Sequence, residues 1–386
     1  MLLLFYRLVP RLTRASLEPH ADETGDLDRS VTQGHNADTV PPYTLTGQKM
    51  LRSLIYRLKR LVHDWPGLYR ALYGIATFNL DYARQLLQLS RYPSKFGGMW
   101  TDRDDFQAQA ARRSLTPSQM EQLDSWREQG FVSLPQAVDH SLIDRYLQEL
   151  ESLKDRSPSP LLITAASAPD PVPYTGASAH AHTSVRVVDD YFFSPASREI
   201  LFAAPITDFL RLVFDQYPEL NQSLSFYRGS EQDIHQDTAF VRMNAPMKLA
   251  AVWVALEDVQ AGSGELLYYP GSHRWEDYLF SGYFKHYDEE RDGETQLQHW
   301  YEWIHQQGRA HGSTLTSFLP RKGDVFIWHA GLAHGGAAIS RPGSTRRSLV
   351  GHYCPRGVRP LYHYYKPAQR AYQSHADYRY CSSYYR

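Results

Sequence analysis

Lys248-Leu249-Ala250-Ala251-Val252-Trp253-Val254-Ala255-Leu256 is the longest of six short segments after residue 220 that read as β-strands. The others cover 224–228, 264–269, 313–319, 324–328 and 347–353, with Gly, Pro, Asp and Ser turns between them. From here on the hydrophobic spacing shortens from the three-and-four of helices to two. Many short strands behind a helical leader predict a mainly β core, an antiparallel sandwich or jelly roll with helices packed outside. No glycine-rich phosphate loop opens a helix, which disfavours a nucleotide-binding α/β fold.

Upstream, Leu115-Thr116-Pro117-Ser118-Gln119 is a helix start: Thr116 caps, Pro117 takes the first helical position and Gln119 completes a capping box. Gly130 ends that helix before a short strand at 131–134, and a second helix opens near Asp139 or Ser141. Residues 156–178, rich in Pro, Ser, Ala and Gly, read as a long loop, with a lid or a disordered segment as the alternatives. From Thr46 to about Leu89 apolar residues recur at helical spacing with Lys and Arg interleaved. That stretch is a helical layer on the main domain, or else a cationic amphipathic surface for an anionic membrane or a protein partner. Residues 18–44 read as a mobile linker, and the apolar stretch 1–10, with no basic start and no clear cleavage site, reads as a short helix or an ill-defined start, with a signal peptide as the weaker alternative.

The chain has 386 residues, with Lys+Arg 41 against Asp+Glu 42 and a net charge of -1, so no basic field advertises nucleic acid. Its two cysteines, Cys354 and Cys381, build neither a disulfide framework nor a thiolate cage and suggest a reducing, cytoplasmic compartment. No apolar run reaches the roughly 18–20 residues of a membrane span.

Chemistry then rests on the 17 histidines. His235-Gln236-Asp237 places a histidine and a carboxylate on one face of an extended segment. The chain carries its own control, a second H-x-D at His375-Ala376-Asp377 in a polar tail. Only the first is followed by Trp328-His329-Ala330-Gly331-Leu332-Ala333-His334-Gly335-Gly336. Two histidines and one carboxylate with open positions suit non-haem Fe(II). His329 and His334 both qualify as the third ligand; His334 is preferred because Gly335-Gly336 allows close backbone approach. Next comes Thr345-Arg346-Arg347-Ser348-Leu349-Val350-Gly351-His352-Tyr353. An arginine buried beside a metal needs an anion, and on a strand Arg346 and Ser348 share a face suited to a carboxylate. A slip of one residue would exchange Arg346 for Arg347; Arg346 is preferred.

These residues together resemble the phytanoyl-CoA dioxygenase family of Fe(II)- and 2-oxoglutarate-dependent oxygenases. The resemblance runs over roughly 115–355. It is carried by 115–134, Arg228-Gly229-Ser230 through His235-Gln236-Asp237, 251–256, Gly264-Glu265-Leu266, Pro270-Gly271-Ser272-His273-Arg274, Gly323-Asp324-Val325, His334-Gly335-Gly336 and Arg346. It implies a double-stranded β-helix of the cupin-like, jelly-roll kind, with His235, Asp237 and His334 holding iron. It further implies Arg346, with Ser348, on the distal carboxylate of 2-oxoglutarate, and Trp253 lining the cosubstrate pocket. The implied activity is hydroxylation of an unactivated C–H bond of a small-molecule, lipid-like or acyl substrate, consuming O2 and releasing succinate and CO2. His273 is read as a turn residue before a ligand. Asp237 keeps the carboxylate that a halogenase typically gives up. Two rivals are a Zn(II)-dependent hydrolase, which leaves Arg346 without a task, and a non-catalytic metal-binding module acting through its helical extension.

The expected organisation is a poorly ordered leader at 1–45, a helical extension at 46–114, the oxygenase domain at 115–355 and a basic tail at 356–386 rich in tyrosine. The chain departs from compact family members in its leader, in an insertion from Trp275 to about Arg321 and in that tail. The insertion's His286, His299, His305 and His311 read as solvated. The tail is expected to pack along the barrel or to stack on a substrate or partner.

Overall fold

The computed structural model describes residues 91–165, 168–180, 184–361 and 370–386. The leader, the linker and the extension through residue 90 lie outside the described residues. Helix α1 is Pro117–Gln129, closed by Thr116 and Gln119 in a reciprocal capping box and by left-handed Gly130. It leads into β1 (Phe131–Leu134) and then α2 (His140–Lys154), capped by Asp139. Next come β2 (Leu162–Ala165), β3 (Ala168–Pro173), β4 (Arg186–Val188), α3 (Pro195–Leu201), α4 (Ala204–Phe214) and β5 (Pro218–Phe226). They are followed by β6 (Ala250–Ala255), β7 (Leu266–Tyr268), α5 (Glu289–Ala310), β8 (Thr316–Phe318), β9 (Val325–His329), β10 (His334–Gly336) and β11 (Ser348–Pro355). The chain closes with β12 (Gln373–His375) and β13 (Tyr378–Tyr380).

The strands form a mostly antiparallel core with packed helices. One sheet runs β1-β9-β6-β11-β5-β4-β2-β3, with β13 joining β5 in parallel, and a small sheet runs β10-β7-β8. The large sheet is covered on both faces, which is why 250–255 reads as a continuous apolar run rather than an alternation. Parity within the strands nevertheless sorts the side chains. Val252, Val254, Val325, Ile327, Leu349 and Tyr353 pack with Leu123, Trp126, Ile143 and Tyr146 of the helical layer. Their neighbours Ala251, Trp253, Ala255, Phe326, Trp328 and Val350 meet Leu266 and Tyr268 of the small sheet. The interior between the two sheets is where the site forms.

Residues 156–178 do not form a long loop. They supply β2, β3 and a short helix at Gly176–His180. The segment Ala168–Pro173 contains three prolines and is still a strand, because β3 is the sheet's edge, where a missing N–H costs no ladder bond. The insertion builds its own aromatic cluster: Trp275, Phe280, Phe284, Trp300 and Ile304 pack on Ile234, Ala239 and Ala333. It thereby buttresses the segments that carry His235, Asp237 and His334. Two of its histidines are not solvated: His305 Nδ1 lies 3.0 Å from the Tyr269 hydroxyl, and burial pushes half-buried His286 down to about 4. His299 and His311 are exposed. The tail runs back along the sheet, with Tyr378 stacked on Phe202 at 5.3 Å and the Tyr191 hydroxyl donating to Cys381 O at 2.5 Å.

Helices and sheet are pinned by a buried polar set in which the Tyr146 hydroxyl hydrogen-bonds Asp190 Oδ2 at 2.6 Å and Ser225 Oγ at 2.8 Å. Tyr146→Phe keeps the ring and strips a fully buried carboxylate of a donor. It is expected to lower stability by about 1–3 kcal/mol, read from the urea midpoint by circular dichroism. An unchanged midpoint would show that Asp190 finds another donor.

Candidate metal centre

Parity places the site residues. On β11, Ser348, Val350 and His352 face the interior, whereas Leu349 and Tyr353 face the helices. On β9 the same rule sends His329 to the helical side with Val325 and Ile327, which removes it from the metal centre. There His329 Nε2 lies 3.4 Å from Asp102 Oδ2, and Nδ1 accepts from Gly331 N–H at 3.0 Å. His273, on a single helical turn, donates to Arg127 O at 3.0 Å.

His235 and His334 exchange both backbone hydrogen bonds, each 2.8 Å, as an isolated antiparallel pair. Gly335 permits this approach: a Cβ there would sit 2.6 Å from Gln232 O. Gln236 is extended, and its side chain donates to Gly331 O at 2.6 Å, tying the H-x-D segment to the turn before His334. Asp237 then opens a single helical turn, Asp237–Phe240. One ligand atom from each of His235, Asp237 and His334 lies within 4.8 Å of the others, and all three residues are buried.

The hydrogen-bond pattern leaves the inward atoms free. His235 Nδ1 donates to Asp233 O at 2.7 Å and His334 Nδ1 to Leu332 O at 2.9 Å, so each Nε2 carries its lone pair toward the centre. Asp237 Oδ2 accepts from the Trp328 indole at 2.9 Å, which turns Oδ1 to the histidines. His235 and His334 Nε2 lie 3.9 and 3.7 Å from that oxygen. Burial, reinforced by His334, drives His235 down to about 3, so the ring is neutral at pH 7. Burial works against the ionisation of Asp237, but the histidines around it and the Trp328 N–H hold it below the usual carboxylate range. Imidazole Nε2 atoms converging on a carboxylate oxygen are held together by a proton or a cation between them. The donor set therefore fits a divalent first-row metal with positions to spare.

Arg346 is buried in the same interior. Its Nε donates to Gly264 O at 2.9 Å and its Nη1 to Ser348 Oγ at 2.9 Å, with Phe226 and Trp253 rings 5.4 and 5.6 Å away. No carboxylate of the described residues forms an ion pair with it, and burial pushes it down to about 10. Beside it the buried Trp253 Nε1–H has no hydrogen-bond partner. A guanidinium without a counter-ion and an orphaned N–H, side by side, form a cradle for a carboxylate. Arg347 points the other way, 3.7 Å from Glu257 and over the Tyr227 ring.

Two further interior residues escaped the sequence reading. His352 Nε2 lies 3.9 Å from Asp237 Oδ1 while its Nδ1 donates to Gln222 Oε1 at 3.0 Å. Its parity with Arg346 and Ser348 was the available signal. Arg186 projects from β4 onto the same face, and nothing in its surroundings in the sequence distinguishes it.

A model of the phytanoyl-CoA dioxygenase family matches residues 126–348, more than half of the chain. The chain belongs to that family. The family domain includes every residue of the metal cluster and the Arg346 cradle. Curated relatives are the phytanoyl-CoA dioxygenase domain-containing protein 1 homologs of Caenorhabditis briggsae and Caenorhabditis elegans. They are 28% and 26% identical over 88 residues, spanning 22% of this chain and only 31% of each relative. Among solved structures, the chain is similar to the α-ketoglutarate-dependent epimerase SnoN from nogalamycin biosynthesis, with TM-score 0.46 and 18% identity over 62% of this chain and 84% of that one. It is also similar to EctD from S. alaskensis with 2-oxoglutarate and 5-hydroxyectoine, with TM-score 0.43 and 16% identity over 62% and 76%. Nothing about this chain's substrate follows from likeness at that level. No helix among the described residues is long and apolar enough to cross a membrane.

The neutral buried histidines carry a consequence for stability. His235 and His273 both sit at about 3 when folded, against about 6.5 for an unfolded histidine. Below pH 6.5 the unfolded chain therefore binds more protons, and stability falls as pH drops toward 3. Chelator-treated protein is expected to lose on the order of 2–4 kcal/mol between pH 6.5 and 5 in urea unfolding. Stability that is flat or rises over that window would refute the neutral assignment.

Proposed function

We propose that this protein is an Fe(II)- and 2-oxoglutarate-dependent dioxygenase that hydroxylates an unactivated C–H bond of a small-molecule, lipid-like or acyl substrate. In this reading the two sheets are the walls of a double-stranded β-helix. His235, Asp237 and His334 hold the iron through Nε2, Oδ1 and Nε2. When bound, iron with 2-oxoglutarate and O2 supplies the oxidising power that converts C–H to C–OH, with succinate and CO2 as co-products. The protein's own part is geometric and electrostatic. Trp328 and the two backbone carbonyls fix the orientation of the ligand atoms. Arg346, braced by Ser348, takes the distal carboxylate, and the Trp253 indole donates to it. Aromatic packing from the insertion, Phe240 against His235 and Trp300, keeps bulk water from the metal side.

The observation that carries this reading is the pairing of a three-ligand centre with a buried guanidinium that lacks a counter-ion. A zinc hydrolase has no use for that guanidinium or for the orphaned indole N–H. The test is succinate release by purified protein with Fe(II), 2-oxoglutarate and ascorbate under air. The visible band of the anaerobic Fe(II)–2-oxoglutarate complex is read alongside it. Both signals are expected; neither, from folded and iron-loaded protein, would sink the proposal and favour a binding module.

A further inference from the structure

The interior face of the large sheet carries a second guanidinium that the proposed chemistry does not use. Arg186 on β4 is opposite Phe226 of β5, which is in turn opposite Ser348 of β11, so the three side chains share one face in one row. Two inter-strand spacings of ~4.8 Å put Arg186 about 10 Å from Ser348, with the Phe226 ring between them.

The surroundings of Arg186 are polar but hold no counter-charge. Its Nε donates to Thr164 Oγ1 at 3.1 Å, from the next strand in the same row. No described carboxylate forms an ion pair with it, and burial lowers its affinity for a proton. It lies within electrostatic range of His235 and His352, on the metal's side of the sheet. Gln222, bonded to His352, and Tyr384 of the tail complete the patch, the tyrosine hydrogen-bonding Gln222 and sensing the Arg186 charge. Such a guanidinium, with forked donors unspent beside a reaction centre, is arranged to receive an anion.

We infer that Arg186, framed by Thr164, Gln222, His352 and Tyr384, anchors a carboxylate or phosphate of the substrate to be oxidised. The substrate class is then an organic acid whose charged group and oxidised carbon fit within one side of the sheet interior. This rests on the metal-centre reading above.

The test uses full-length protein loaded with Mn(II) and 2-oxoglutarate, titrated calorimetrically with hexanoate and hexyl phosphate and with neutral hexanamide and hexanol. At least one acid is expected to bind about tenfold or more tighter than its neutral partner. Whichever acid is preferred identifies the anion. Arg186→Gln is expected to bring the preference to within about twofold, Arg186→Lys to retain part of it, and both to bind 2-oxoglutarate like the parent. That last titration also shows that the variants are folded. Equal or absent binding of acids and neutral probes, or a preference that survives in Arg186→Gln, overturns the inference. A tenfold loss of 2-oxoglutarate affinity in Arg186→Gln overturns it too, and reassigns Arg186 to the cosubstrate. Failure of the parent to bind 2-oxoglutarate at all would instead sink the oxygenase reading.

Discussion

Asp237→Ala protein is expected to bind Mn(II) or Fe(II) at least on the order of a hundredfold more weakly than the parent and to release no succinate above background. Two features make the effect large. Oδ1 of Asp237 is the one carboxylate donor in a cluster whose other members are imidazole rings, so its loss removes the charge that opposes the cation. Its partner oxygen also anchors the Trp328 indole, and the alanine leaves that buried N–H without an acceptor. Trp328→Phe separates the two contributions. It keeps the carboxylate and frees its orientation, and an intermediate loss of about tenfold is expected. Asp377→Ala is the matched control, because Asp377 lies exposed in the turn between β12 and β13 while His375 stacks on Phe202. It should titrate like the parent. Metal affinity undiminished in Asp237→Ala would refute the ligand assignment, whatever happens to activity.

That the two H-x-D segments can be used against each other shows what was legible in the sequence. The dipeptide pattern is the same in both. What separates them is the strand-rich chain that follows the first and returns His334 to it, and that order is written in the sequence. Strand parity was equally legible once a strand was granted: it sends Arg346 inward, Arg347 outward and His329 toward the helices. The edge strand β3 was not legible, because its prolines are loop signals wherever the strand's place in the sheet is unknown. Arg186 was hidden for a related reason. It stands alone among Val185, Val187 and Val188, and only the pairing of β4 with β5 brings it to the row of Ser348. His286 and His305 of the insertion were misread because charges near them in sequence say nothing of Tyr269 or the aromatic cluster beside them, whereas His299 and His311 are exposed as expected.

Arg346→Gln is expected to weaken 2-oxoglutarate binding to the Mn(II)-loaded protein by roughly 100- to 1000-fold, with metal affinity unchanged. The size follows from burial. In water a carboxylate loses little when an arginine is removed, because solvent takes its place. Here the guanidinium is 3% exposed, flanked by two aromatic rings, and the carboxylate would be left desolvated with only an indole N–H. Glutamine keeps a donor for Gly264 O or Ser348 Oγ but carries no charge and cannot offer the fork. Arg347→Gln changes only a half-buried contact with Glu257 and should bind 2-oxoglutarate within about twofold of the parent. Trp253→Phe removes one hydrogen bond to a charged acceptor while keeping most of the ring, and a loss of about tenfold is expected. The order Arg346→Gln, Trp253→Phe, Arg347→Gln is the signature of a carboxylate held end-on in this cradle. Equal affinities across the three would mean that the dicarboxylate lies elsewhere in the interior, with the metal centre still standing.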